Sequence, residues 1–533
     1  MVNQKRGWTT WIFRLTIAAI VGVADGGLRA EAQSGNGQSG NGQPLNPIVE
    51  VGIVQRFGQE PTDRLTLTAP SGDRLRVVFP DGGGTKTLES DRVVLEVPRF
   101  PQSPVLEERV VLSKHRSFES AEASGQVWQQ RGIPVELAQP DTWEVWAKRS
   151  VYSTPLLRRL LLKDLKAQGH GEVFLTSQVQ TQKNQATWVV NGYRYHRDSL
   201  QVASSTGLIL VDDVPYPGSL ELQPNSYGSY TLVNDVTIED YLRGVVPYEI
   251  GPGAPPTAVE AQAILARTYA LRNLRRFAID NYQLCADTQC QVYRGWLEPF
   301  PLADQAIRNT RGLVLTHGNS LVDAVYSSTT GGVTAAFEDV WDGEPRPYLQ
   351  PVVDAMANRW DLSQKPLSDE ANFRLFLQQT QGFNEVGWRH FRWQIPATLQ
   401  TLKADLKAYL TKRKHPQANF ETIVDLRVQK RALGGRVQEL VVNTDQGAIV
   451  LQKDQIIQAL SPPNSLLFYV DPIKDPNQKL TGYTFVGGGL GHGVGMSQTG
   501  SYHLADLGWS SARILAFYYP NTELKPLEAS LLQ

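Results

Sequence analysis

The chain has 533 residues, 41% hydrophobic and 20% charged, with a formal net charge of -1. This length exceeds one compact domain, and the composition is that of a globular protein. Lys+Arg (52) and Asp+Glu (53) nearly balance, which leaves no basic excess for nucleic acid and no polybasic contact for a membrane surface.

Residues 1–32 have the make-up of an export signal. Lys5 and Arg6 supply the charged start, Trp11 to Val23 the apolar run, and Ala30-Glu31-Ala32 a small-x-small cleavage triplet. The run is shorter than the roughly 20 residues of a membrane span. Arg14 interrupts it and Asp25 follows it, so an uncleaved anchor is the alternative. Either way the bulk of the chain is expected outside the cytoplasm, in the periplasm or cell envelope. Residues 33–46, QSGNGQSGNGQPLN, form a low-complexity linker.

From Ile48 to about Pro98, short β-branched runs alternate with turn clusters, a β-rich pattern. Helical spacing follows at 117–132. Strands are expected at Val135-Glu-Leu and Trp143-Glu-Val-Trp146, then a Leu-faced helix over 156–165 whose leucines should be core. Residues 47–165 are therefore expected to form an α+β accessory module. Strand patterns resume between Gly171 and Asn234.

Two helix starts come next. Thr237-Ile-Glu-Asp240 opens a short helix that stops at Gly244. Thr257-Ala-Val-Glu260, after two prolines, reads as a capping box opening an Ala-rich, buried helix to about Phe277. A helical insertion is expected over 356–420. Three strands follow from Ile423 to Leu451, and then a glycine-rich loop with helices at about 497–507 and 510–518.

Four stretches could carry chemistry. Glu249 stands behind Pro247, before the Gly251-Pro252-Gly253 breaker and among apolar neighbours. Partial burial there would keep its carboxyl protonated and make it a general acid; the alternative is a surface loop residue. In Gly487-Gly-Gly-Leu-Gly-His492-Gly-Val-Gly-Met-Ser-Gln498, the glycines admit close approach of a ligand, an anion or simply another chain segment. Tyr326-Ser-Ser-Thr-Thr-Gly-Gly332 offers hydroxyls to a polyhydroxylated ligand, or an ordinary turn. Cys285 and Cys290 favour a disulfide over a metal site, since zinc needs about four ligands and no His lies between 281 and 301. No nucleophile elbow, His-Glu-x-x-His or dinucleotide fingerprint occurs, and no cofactor is expected.

Together, Glu239-Asp-Tyr-Leu-Arg-Gly-Val-Val-Pro-Tyr-Glu249, Glu260-Ala-Gln-Ala-Ile-Leu-Ala-Arg-Thr-Tyr-Ala270, Cys290-Gln-Val-Tyr-Arg-Gly295, Tyr326 to Gly332 and Gly489 to Gln498 resemble the stage II sporulation protein D (SpoIID/LytB) family. The resemblance implies an α+β fold, a SpoIID-like domain over 171–530 beside the β-rich N-terminal module. It further implies a peptidoglycan lytic transglycosylase with Glu249 as the single acid/base. Tyr326, Ser328, Thr330, His492, Ser497 and Gln498 would line the glycan groove. The alternatives are a non-catalytic, peptidoglycan-binding enhancer of a cell-wall amidase and an exported structural protein with an inactive site. Ser327 and Gln289 depart from the family pattern, where many relatives carry His, which argues against a zinc site.

Overall fold

A computed structural model describes residues 44–532. The expected export signal and most of the linker lie outside these residues. The described chain divides into two compact units, one of residues 44–253, 262–323 and 524–532, the other of residues 254–261 and 324–523.

The first unit is built on two sheets. The larger runs in the order Leu284–Cys285, Ile48–Phe57, Tyr230–Thr237, Ser219–Pro224, Leu200–Ser204, Leu75–Asp81, Gly84–Ser90. The second runs Tyr193–His196, Thr187–Val190, Arg92–Glu96, Arg64–Thr68, Leu208–Val211, Val214–Pro217. Alternation along each strand turns every second residue inward: Leu75, Val77 and Phe79 are fully buried, as are Val93 and Leu95. These join Trp188, Val202, Ile209, Leu222 and Leu232 in one core. The boundary expected between a 47–165 module and a later domain therefore does not divide the strands. Ile48–Phe57 pairs with Tyr230–Thr237, and Arg92–Glu96 pairs with Thr187–Val190. Sequence periodicity shows which residues face inward, but not which strand lies beside which.

A four-stranded sheet, Val135–Ala138, Trp143–Ala147, Arg99–His115 and Phe174–Asn184, carries the helices Phe118–Gln130 and Pro155–Ala167. The leucines of the second helix are not all core. Leu165 is buried, Leu161 and Leu162 are half-buried, and Leu156, Leu157 and Leu160 are exposed. Six leucines in ten residues, at about 100° per residue, cannot share one face.

In the second unit, Trp393–Thr398, Leu480–Gly487 and Phe468–Lys474 form one antiparallel sheet, and Ile423–Arg431, Val437–Thr444 and Gly447–Gln452 another. The helix Leu399–Lys412, capped by the Thr398 hydroxyl, buries Leu402, Leu406 and Leu410 in the core that these strands share. The expected helical insertion at 356–420 is thus tied into the unit, because its strand Trp393–Thr398 pairs with Leu480–Gly487. The helices Gln498–Asp506 and Ser511–Tyr518 start where expected, each on a serine cap.

The Ala-rich helix spans Pro256–Arg272, and Ala258, Ala261, Ala263, Ala266 and Ala270 have no exposed surface. It begins two residues earlier than the proposed capping box requires. The Ala258 and Val259 amides already bond the Pro255 carbonyl. Pro256, with no N–H to satisfy, fits the first turn, which leaves Thr257 inside the helix.

Candidate active site

Glu249 lies on a single helical turn, Val246–Ile250, rather than on an open loop. The turn is set by what precedes it. Thr237 caps the helix Ile238–Arg243, and Gly244 ends it. A side chain at Gly244 would meet the Tyr293 ring at 2.5 Å and the Gly295 carbonyl at 2.7 Å, so only glycine fits that approach. The Glu249 amide bonds the Val245 carbonyl at 3.0 Å, and Gly251, at φ +83°, stops the turn. Glu249 is half-buried, and its Oε1 accepts the Val292 amide at 2.7 Å.

The segment that supplies this amide is held on both sides. Cys285 and Cys290 form a disulfide just upstream. Gln291 accepts the Tyr241 hydroxyl at 3.2 Å, and the Tyr293 hydroxyl donates to Asn234 at 2.8 Å. Burial raises the Tyr241 and Tyr269 hydroxyls well above their ordinary range, and the Glu249 charge adds to both. Gln289 accepts the Gln139 side-chain Nε2–H and the Trp143 indole N–H on its side-chain oxygen. That position is used for packing, and both thiols are consumed in the disulfide.

The other sequence-selected residues lie in the second unit, and the structure brings them together. Tyr326–Ser327 pairs in parallel with Met496–Ser497. The Ser328 carbonyl accepts both the amide and the hydroxyl of Thr499, at 3.2 and 3.1 Å. Gln498 is largely buried at the start of its helix. His492 lies 4.9 Å from the Trp341 ring with the planes tilted by 53°, and its Nδ1 accepts the Val494 amide at 3.0 Å. Burial, reinforced by the Arg436 guanidinium, lowers its pKa to about 4, so the ring is neutral near pH 7. The glycines have a steric reason here. A side chain at Gly493 would overlap Arg436, and one at Gly495 would overlap the Val325 carbonyl.

Sequence reasoning missed the group that joins these stretches. Glu385 has no exposed surface, and its carboxylate accepts the Thr330 amide (2.5 Å) and hydroxyl (2.9 Å), the Gly331 and Gly332 amides (2.8 Å each) and the Ser497 hydroxyl (2.5 Å). Asp354, also fully buried, accepts Asn384 Nδ2 and the Tyr518 hydroxyl, each at 2.8 Å. Burial and then the Glu385 charge push the Asp354 carboxyl well above its usual range. No local motif marks either acid, because the partners of Glu385 lie 53 to 112 residues away.

Comparison with known proteins adds to this geometry. Residues 226–317 match the family model "Stage II sporulation protein", and residues 335–495 match a domain of unknown function, DUF8618. The chain is 31% identical over 306 residues to a Bacillus subtilis protein named "Amidase enhancer", covering 53% of this chain and 40% of that protein. It is 26% identical over 316 residues to the stage II sporulation protein D of Bacillus amyloliquefaciens, covering 56% of this chain and 77% of that one. An uncharacterised Brachyspira hyodysenteriae protein is 25% identical over 352 residues, covering 65% and 82%. The chain thus spans less than half of the amidase enhancer's length.

Proposed function

We propose that this chain, a member of the stage II sporulation protein D family, is an exported enzyme that cleaves peptidoglycan glycan strands by lytic transglycosylation, with Glu249 as the acid/base. The observation that carries the reading is Glu249 itself, half-buried on a short turn and braced through one oxygen by the Val292 amide. The carboxyl protonates the glycosidic oxygen, and the bond from C1 to that oxygen breaks. The 6-hydroxyl of the same muramic residue then bonds to C1 and returns its proton to Glu249. The product is a 1,6-anhydro end, no water is consumed, and no second carboxylate is needed, unlike the usual hydrolase pair.

A second reading has its own support: one relative is named an amidase enhancer, which fits a chain that binds the wall and stimulates a partner amidase without cutting glycan. One experiment separates the two. Chain lacking residues 1–32 is incubated with peptide-stripped glycan strands, and the products are read by mass spectrometry. The enzyme reading expects 1,6-anhydro-muramic ends, reduced at least about a hundredfold in Glu249→Gln. Equal cleavage by that variant removes Glu249 from the chemistry. No cleavage, with stimulation of an added amidase, establishes the enhancer.

A further inference from the structure

Trp388 is 45% exposed, yet its turn is held by hydrogen bonds at both ends. Its amide donates to the Glu385 carbonyl at 3.2 Å, and its carbonyl accepts the Phe391 amide at 3.0 Å. One residue before Glu385, the Asn384 amide and side chain both bond Asp354, at 2.9 and 2.8 Å. The Glu385 carboxylate is fixed by Thr330, Gly331, Gly332 and Ser497. Gly387, at φ +91°, makes the tight turn that presents the indole. Across from it stands Tyr502, on the helix that Ser497 caps, with ring centroids 5.4 Å apart and planes at 74°. The edge-to-face contact fixes the orientation of the indole and leaves much of its surface in water.

An exposed indole on a braced turn keeps apolar surface hydrated without lending it to the core, and Trp is a side chain enriched where partners bind. We propose that Trp388 and Tyr502 form an aromatic platform that stacks against a pyranose ring of a glycan strand, a subsite that no sequence motif announced. The occupant is argued from continuity. The carboxylate that anchors the Trp388 turn holds the buried Thr330 and Ser497 hydroxyls, and so ties the turn to the strand pair that carries the half-buried Tyr326 and Ser328, two of the residues expected to line the groove. Arg389, exposed on the same turn, adds a positive charge suited to the lactyl carboxylates of such a strand. A flat indole meets the apolar C–H face of a sugar, while neighbouring polar groups take its hydroxyls.

This inference rests on the glycan-directed reading above but not on cleavage. The test is co-sedimentation of the chain lacking residues 1–32 with peptide-stripped peptidoglycan, alongside the mass-spectrometric assay. Trp388→Ala and Tyr502→Phe are compared with Trp388→Phe, which keeps a ring. Expected are binding about tenfold weaker in Trp388→Ala, near-native binding in the two ring-retaining variants, and an unchanged thermal midpoint. Native-level binding by Trp388→Ala overturns the platform even if the chain cleaves glycan. Loss in Trp388→Ala from a chain that binds but makes no anhydro ends upholds the platform and removes the transglycosylase. A native chain that neither binds nor cleaves removes both.

Discussion

Arg267 has no exposed side-chain surface, and its guanidinium spans both oxygens of Glu239 at 2.8 Å each. The pair is closed by neighbours: Arg267 also donates to the Leu313 carbonyl at 3.1 Å, and Glu239 accepts the Gly312 amide at 3.2 Å. With its hydrogen bonds satisfied, removing one partner strands the other charge in a dry interior. Glu239→Ala is expected to lose about 3–5 kcal/mol in denaturant unfolding, and Glu239→Met with Arg267→Met to lose clearly less than the sum of the two single changes. Additive losses would show that the two groups do not act as a pair. Asp235 presents the opposite case. It lies directly across from Glu50, with Glu221 on the strand to its other side, and burial followed by these charges lifts its pKa to about 7. Because the folded-state value is the raised one, the folded chain holds this proton more tightly than the unfolded chain. Stability is full below the unfolded value near 4, falls as pH rises towards 7, and stays low above it. Asp235→Asn should therefore gain about 2 kcal/mol at pH 8 and nothing near pH 4. A gain that does not vary with pH would contradict the sign.

Among the elements, the glycine loop around His492 shows most clearly what local sequence can and cannot convey. Gly495 has φ +74°, and a Cβ there would overlap the Val325 carbonyl, whereas Gly72, at φ +85°, has open space around it. Gly495→Ala is expected to lower stability by about 3 kcal/mol or more, and Gly72→Ala by only about 1 kcal/mol. Equal effects on the thermal midpoint would mean that close approach does not govern the loop. The glycines, the Thr237 cap and the serine caps at 497 and 510 were legible because each satisfies a need within a few residues. The start at Thr257 was misread by two residues because Pro256 offers a competing start of equal local quality. Glu385 and Asp354 could not be read at all. An acid such as Glu385, five residues before His390, has no signature until the chain returns the Thr330 turn and Ser497 to it. Trp388, likewise, has the look of a core aromatic until its exposure is known.

At the scale of the whole molecule, the family match and the folding unit do not coincide. The matched stretch, 226–317, contains Glu249, but its strand Tyr230–Thr237 lies between Ile48–Phe57 and Ser219–Pro224. Ile48–Phe57 also pairs with Leu284–Cys285, so an N-terminal strand bridges two parts of the matched stretch itself. Phe57, Leu67, Val77, Phe79 and Leu95 fill the same core as Trp188, Leu222 and Leu232. A chain beginning at residue 171, where the family resemblance places the start of the domain, would lose the first group and expose the second. Each such buried side chain contributes about 1.5–3 kcal/mol, so a few of them exceed the 5–15 kcal/mol by which a domain is ordinarily stable. The 171–533 chain is therefore expected to aggregate or unfold without cooperativity, and the 44–533 chain to melt cooperatively by circular dichroism. A soluble, cooperatively melting 171–533 chain would show that the N-terminal strands are an accessory after all. If it fails as expected, the residues before 98 are part of the scaffold that holds the Glu249 turn. The N-terminal region would then be required for any activity of the site, whether cleavage or enhancement, without itself touching a substrate.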